Sequence, residues 1–339
     1  MPDQYAVAQA QRAALLRGDR AVSRVVLDAY FKAWQSINER LGVLTTQLQE
    51  ARAAGLEPGA GWLYEQDRLL SLQRQVAGEV SSVASRLAPF LTGEQARWVE
   101  QSQRDTAALV QAGTTAVPTT GSALPLLHPA AIETVIGFVS DGSPLRALLD
   151  ELGPDAAKRV GDALIQGVAL GQNPRQIAKS VRTAFSGNMA RALLVSRDAV
   201  IRSYQEAAHQ TYAANADILS GWRWLAAHSP RTCPSCLVMS GTFHPLSERL
   251  RSHPGCRCTP IPEVRDGPAP FGQTGAAWFR AQPAEVQRTV VGPKKYDALQ
   301  KGRIALEDLT ILRRSRRWGT HRGEATYTEA VRQANRRKP

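Results

Sequence analysis

Nowhere in this sequence of 339 residues do apolar residues run for the roughly 18 positions that a membrane span requires. Its start, MPDQYAVAQAQRAALLRGD, lacks the basic opening, apolar centre and small-residue cleavage site of a signal peptide. The expectation is a soluble, cytosolic chain. No internal repeat at solenoid periods is present, which excludes a repeat array. Cysteine is scarce: there are four, all between positions 233 and 258. In a reducing cytosol, four thiols at two close spacings are better explained by a metal than by disulfides. Apolar content of 43% with 21% charge excludes collagenous, mucin-like and wholly disordered classes. Single cores stop growing at roughly 250 to 300 residues, so two or three compact units are expected.

Negative charge is also in short supply. The net charge is +12, and the stretch from Arg265 to Pro339 carries 16 Lys/Arg against 7 Asp/Glu, so nine of the twelve excess charges lie there. This tail contains Arg313-Arg314-Ser-Arg316-Arg317 and ends Arg336-Arg337-Lys338-Pro339. Two readings fit it: a solvated surface that aids solubility, or contact with nucleic acid or an acidic partner through Arg313, Arg314, Arg316, Arg317, Arg336, Arg337 and Lys338.

Val26, Tyr30, Trp34, Ile37, Leu41, Leu44 and Leu48 step by threes and fours, the stripe of an amphipathic helix. Gly55, Pro58, Gly59 and Gly61 interrupt it. Leu69, Leu72, Val76, Val80, Val83 and Leu87 then form a second stripe, so the two helices are expected to fold back as an antiparallel hairpin. Thr92, with Gln95 three positions on, reads as the N-cap of a third helix running toward Val110. Residues 113–125, GTTAVPTTGSALP, have the composition of a linker. Shorter helices are expected near 129–140, 143–151, 154–169 and 174–184, and a longer one from Asn188 to Ala214 after the break Phe185-Ser-Gly. Arg197 falls within the apolar stripe of that last helix, where it needs a carboxylate or carbonyl partner unless it reaches the edge. Gly221-Trp-Arg-Trp-Leu reads as a short strand leading into the cysteine region.

Cys233-Pro-Ser-Cys236 is a C-x2-C pair, whose tight turn can aim both sulfurs at one ion. Cys256-Arg-Cys258 can complete a tetrahedron, with Pro254-Gly255 supplying the turn. Four soft ligands favour Zn2+ over Mg2+ or Ca2+. The predicted ligands are Cys233, Cys236, Cys256 and Cys258, and His253 can replace either member of the second pair. His244 and His228 are weaker candidates. The alternative is a group of thiols without metal; a thioredoxin-type site is disfavoured because the C-x-x-C does not open a helix in a βαβ context. Glu248 and Glu263 lie nearby but not in H-x-E or H-E-x-x-H spacing, and four thiolates leave no open position. The site therefore reads as structural, a staple for a segment with few apolar residues of its own.

The ordered series Trp224-Leu-Ala-Ala-His-Ser-Pro-Arg-Thr232-Cys-Pro-Ser-Cys236, Ser240-Gly-Thr-Phe-His and His253-Pro-Gly-Cys-Arg-Cys258-Thr-Pro-Ile-Pro resembles the phage Mu F-like head-morphogenesis family of minor head proteins. The likeness extends over about residues 130–265 and includes Gly171-Gln-Asn-Pro-Arg-Gln-Ile upstream. The family's Arg-Thr-Glu-like element stands here as Arg197-Asp198-Ala199, which keeps the arginine and loses the glutamate. The resemblance implies a minor component of a tailed-phage head, inside the virion and in the host cytoplasm during assembly. Its implied partners are the portal or major capsid protein, with packaged DNA as a non-specific contact. It also carries the metal-site pattern onto Cys233, Cys236, His253, Cys256 and Cys258.

The expected fold is mainly α with a small α+β zinc-stapled region: a long N-terminal helical hairpin, a helical central domain and short strands around the cysteines. The expected division is a helical arm at 1–112, a linker at 113–125, the Mu F-like domain at 126–265 and a basic extension at 266–339. A non-enzymatic assembly protein is the leading functional reading, with no catalytic residues assigned. A toxin-like or nuclease-like effector is disfavoured because the stretch after Val264 is short for a catalytic module and holds no nuclease cluster. A sequence-specific zinc-containing DNA-binding protein is disfavoured because the strongest charge is remote from the cysteines.

Overall fold

The structure is a computed structural model that describes residues 3–114, 132, 134–138, 144–315 and 319–337. Helix dominates, and the few strands are short and antiparallel, as the fold class expected from the sequence requires. The chain forms two compact units: Asp19–Glu94 with Ser143–Ala199, called the hairpin unit, and Met1–Gly18 with Gln95–Gly142 and Val200–Pro339, called the sheet unit. Three long helices, α1 (Gln4–Ala53), α3 (Arg68–Gly113) and α6 (Pro174–Ala214), supply residues to both. Most of the expected linker lies outside the described residues, as do most of the helix expected at 129–140, Arg316, Arg317 and Lys338.

In the hairpin unit, α1 and α3 run antiparallel. Ser36 receives a hydrogen bond from Gln75 at 3.0 Å and donates to Glu79 at 2.6 Å, while Arg40 donates to Ser71. The two predicted stripes are the buried ones, from Val26 to Leu48 and from Leu69 to Leu87; Trp34 alone is only half-buried. The break falls where glycine and proline accumulate, between Ala53 and the short helix α2 (Ala60–Tyr64). Helices α4 (Leu145–Asp150) and α5 (Leu152–Ala169) complete the unit with the first part of α6. Gly153 of α5 permits close approach to α3, since a Cβ there would stand 2.2 Å from Ser81 Oγ and 2.9 Å from the Ala77 carbonyl. Tyr30 donates to Asn188 Oδ1 at 2.8 Å, and Asn188 in turn donates to the Leu152 carbonyl at 2.9 Å.

Two helix boundaries differ from the sequence reading. No new helix starts at Thr92: α3 passes through it, and the Thr92 hydroxyl donates back to the Ala88 carbonyl at 2.9 Å instead of capping. Gln95 does not cap either; in the sheet unit its side chain clasps Gly137 N–H and the Phe138 carbonyl. Nor does α6 break at Phe185-Ser-Gly. Phe185 is buried against Tyr30 and Trp34, and this packing outweighs the roughly 1 kcal/mol that Gly187 costs relative to alanine.

The sheet unit is built on an antiparallel sheet in the order β2–β1–β3, with β1 at Leu219–Leu225, β2 at Phe243–His244 and β3 at Thr259–Val264. Trp222 and Trp224 of β1 lie opposite Pro262 and Pro260 of β3. The tryptophans share one apolar core with Tyr212, Leu250, Val264 and three of the cysteines, Cys236, Cys256 and Cys258. A second core gathers Leu225 and Ile261 with Ala8 of α1 and Leu109 of α3. The outward carbonyls of Pro260 and Pro262 receive hydrogen bonds from Tyr212 at 3.2 Å and Gln4 at 2.9 Å.

The basic C-terminal stretch folds as α8 (Gly275–Arg280), α9 (Ala284–Val291), α10 (Pro293–Gln300), a 3-10 turn (Leu306–Leu309), a ribbon of β4 (Thr310–Ser315) and β5 (Gly319–Glu324), and α11 (Tyr327–Arg337). Its core contains Phe279, Val290, Val291, Ile304, Leu309 and Ala330, joined by Leu237 from the cysteine region.

Candidate metal centre

The first cysteine pair is shaped by α7 (Pro234–Met239). Cys233 is its N-cap: proline follows at the first helical position, where a missing N–H costs nothing, and Cys233 Sγ accepts the Cys236 N–H at 3.3 Å. The C-x-x-C does therefore open a helix, but its sheet is antiparallel and among the described residues no βαβ unit frames it, in line with the sequence reading. The second pair follows a turn in which the Cys256 N–H bonds to the His253 carbonyl at 3.1 Å and Gly255 takes φ +70°. Cys258 immediately precedes β3, so the pairing of β3 with β1 fixes its position.

These two turns bring five donors together. Cys233, Cys236 and His253 form one group and Cys236, Cys256 and Cys258 another, with donor atoms within 4.8 Å of one another in each group. His253 Nε2 is 3.2 Å from Cys233 Sγ and 3.3 Å from Cys236 Sγ, and Cys236 Sγ is 3.6 Å from Cys256 Sγ. Sulfurs bound to one zinc ion with arms of about 2.3 Å stand roughly 3.7 Å apart, a separation that the Cys236–Cys256 pair matches, while Cys236 is the member common to the two groups. All four thiols are free of disulfide.

The electrostatics favour a cation at the centre. A hydrogen bond from Cys236, aided by His253, lowers the Cys233 thiol to about 5 against the effect of burial. Burial opposes a charged His253, yet the sulfurs of Cys233 and Cys256 outweigh it and raise the imidazole to about 11. Without metal, an imidazolium thus supplies the positive charge; a metal ion would supply it in the proton's place. His253 Nδ1 lies 2.9 Å from the Pro254 carbonyl, a contact that leaves Nε2 to face the sulfurs. The indole N–H of Trp224, buried and otherwise without an acceptor, lies beside Cys258, where it can stabilise negative charge on sulfur.

The loop is also tied down by residues that sequence reasoning did not single out for this purpose. Gln205 donates to the Cys258 carbonyl at 2.6 Å, Arg202 to the carbonyls of Leu250 and Ser252, and Arg12 to the Arg257 carbonyl at 2.8 Å. Arg202 and Gln205 are three apart on α6 and so share a face. That spacing was the available signal, whereas nothing in the sequence points to Arg12.

Other candidates lie elsewhere. His244 stacks on Trp222 at 4.3 Å and bonds to Thr242 and Glu248, and His228 bonds to Ser240. Glu263 pairs with Arg223. Arg197 has the carboxylate partner that its position demands: its Nε lies 3.0 Å from both oxygens of the buried Asp19. In the tail, the structure separates the predicted contact residues. Arg313 is held by Glu329 in a two-pronged pair at 2.8 and 3.0 Å, and Arg337 bonds to the buried Asp308 at 2.5 Å. Arg314 and Arg336 are exposed.

The model of the family described as "Phage Mu protein F like protein" matches residues 158–261, a span that holds all five donors and is narrower than the 130–265 expected from the motifs. That stretch is similar to the Mu F-like family, and the likeness points to a phage head-morphogenesis protein. No curated protein and no solved structure matches the chain. No described helix is long and apolar enough to cross a membrane.

Proposed function

We propose that the chain is a non-enzymatic minor head protein of a tailed phage, located in the head interior. There it docks on the portal or major capsid protein and acts in head assembly or in DNA packaging and delivery. Cys233, Cys236, Cys256 and Cys258 hold a structural Zn2+, with His253 as the alternative fourth ligand. The observation that carries this reading is the convergence, inside the stretch similar to the Mu F-like family, of five donors from two separate turns. Bound zinc supplies cross-linking: it joins α7 to the loop before β3, and its binding free energy adds to that of folding. Glu248 and Glu263, the carboxylates nearest in sequence, are engaged with His244 and Arg223, which supports a structural rather than a catalytic centre. On this reading the arm at 1–112 and the extension at 266–339 meet other subunits, while 126–265 provides the docking piece.

The deciding experiment is co-purification of the full chain with the portal and major capsid proteins of the same phage, with zinc measured in the same preparation. Stoichiometric zinc and stable capture by either protein are expected. A chain that ignores both proteins overturns the assembly reading, and a chain without zinc overturns the metal reading.

A further inference from the structure

The β4–β5 ribbon sorts its arginines by face. Successive residues on a strand point to opposite sides, and residues paired across an antiparallel ribbon share a side. Arg313 lies opposite His321, and both belong to the inner face: His321 is buried, and Arg313 is locked onto Glu329 of α11. Leu312 lies opposite Arg322 and Arg314 opposite Thr320, so these four residues share the outer face. Leu312 is 53% exposed, and Arg314 and Thr320 are exposed as well. The Arg322 N–H bonds to the Arg251 carbonyl at 2.7 Å, which sets the exposed Arg251 of the cysteine-bearing loop against the ribbon's edge. The acidic residue on this face, Glu324, is neutralised by Lys295. Among the described residues, Arg251, Arg314 and Arg322 have no carboxylate partner.

We propose that this outer face, formed by Leu312, Arg314, Thr320 and Arg322 with Arg251 at its edge, docks on the phosphate backbone of duplex DNA without regard to sequence. Charge complementarity carries the choice of partner. The face belongs to the stretch holding nine of the chain's twelve excess positive charges, and guanidinium groups suit the forked geometry of phosphate oxygens. Diagonal neighbours on a ribbon face, as Arg314 and Arg322 are, stand roughly 7 to 8 Å apart. A two-stranded ribbon also fits a major groove about 12 Å wide. No Asn or Gln is present on the face to read adenine, so sequence preference is not expected.

The test uses the full chain with its native metal content and a mixed-sequence DNA duplex, with affinity measured by fluorescence anisotropy from roughly 50 to 200 mM salt. The wild-type chain should bind with an affinity that falls linearly on a log–log salt plot. R314A/R322A should bind more weakly, with a slope shallower by about 2. R314K/R322K, which keeps the charge, should retain the wild-type slope and covers the case in which the alanine variant fails to fold. R175A/R182A removes the same charge from an exposed part of α6 and should bind as the wild type does. The proposal is overturned if the wild type binds no duplex, if R314A/R322A keeps the wild-type slope, or if R175A/R182A loses as much as R314A/R322A. Tighter binding to polyglutamate than to DNA at matched ionic strength also overturns it, in favour of an acidic protein. Zinc measured in the same samples separates this outcome from the metal reading, since a zinc-loaded chain that ignores DNA defeats only the present proposal.

Discussion

The hydroxyl of Ser235, inside the Cys-Pro-Ser-Cys turn, lies 2.7 Å from the hydroxyl of Thr310 at the start of β4, and both residues are buried. One residue beyond Cys236, whose sulfur belongs to both donor groups, Leu237 enters the core of the C-terminal stretch. Helix α7 is therefore shared: one side faces the sulfurs and the other supports the ribbon.

Removal of metal should consequently loosen more than the cysteine loop. A six-residue helix does not persist unaided, and structural zinc contributes about 10 to 16 kcal/mol of apparent binding free energy in small zinc domains. A strong chelator should lower the melting temperature by at least about 10 °C and open the region after residue 275 to proteolysis. Added zinc should reverse both. Thermal melts and limited proteolysis with and without chelator check this, and an unchanged melt would remove the metal from the account.

Cys236 belongs to both donor groups, so its loss should be the most damaging of the single ligand changes. Cys236→Ser should abolish stoichiometric zinc, and Cys258→Ser should weaken it strongly. His253→Ala should retain one zinc per chain, held by four thiolates. Elemental analysis of the purified variants tests this ranking. Loss of zinc from His253→Ala with retention in Cys258→Ser would make histidine the fourth ligand.

Asp19 and Arg197 lie in one unit and answer each other's charge. Breaking a buried pair by removing one partner strands the other, so Asp19→Asn should cost about 3 kcal/mol. Replacing both with apolar residues, as in D19L/R197M, should recover most of that loss. Urea unfolding of the wild type, both single variants and the double variant measures the coupling. Purely additive losses would mean that the pair does not act as a unit.

Arg313 holds the Glu329 carboxyl at about 2, below its ordinary 4.5. The lowered value means that the folded state favours the ionised carboxylate. Its contribution is fully present above about pH 4.5 and is lost as pH falls toward 2. Both side chains are partly exposed, so the effect should be modest and weakened by salt. Protection of the α11 amides, taken relative to the intrinsic exchange rate at each pH, should fall across that window, and Glu329→Gln should remove that part of the pH dependence.

Much of this architecture was legible because burial imposes period. The stripes from Val26 to Leu48 and from Leu69 to Leu87 mark the faces that are buried, and the cysteine spacing marked the donors that converge. Boundaries were less legible. Thr92 and Gln95 carry capping chemistry, but a hydroxyl can bond backward within a helix as readily as forward at its start, and only packing decides. Phe185-Ser-Gly resembles a stop, yet the aromatic contacts with Tyr30 and Trp34 carry the helix through it. The arginine run concealed an alternation, since Arg313 and Arg314 look alike until strand register separates them. A division by order along the chain also differs from the observed grouping, in which Met1–Gly18 belongs with Val200–Pro339.

The prolines of β3 have a consequence for how anything can attach. Residues 260 and 262 are two apart, so both lack an N–H on the same outer side of the strand. With the adjoining carbonyls taken by Tyr212 and Gln4, that border offers an incoming peptide no ladder to join. Neighbouring copies at high local concentration cannot zip together along it, and a partner that meets this border must engage side chains rather than add a strand there.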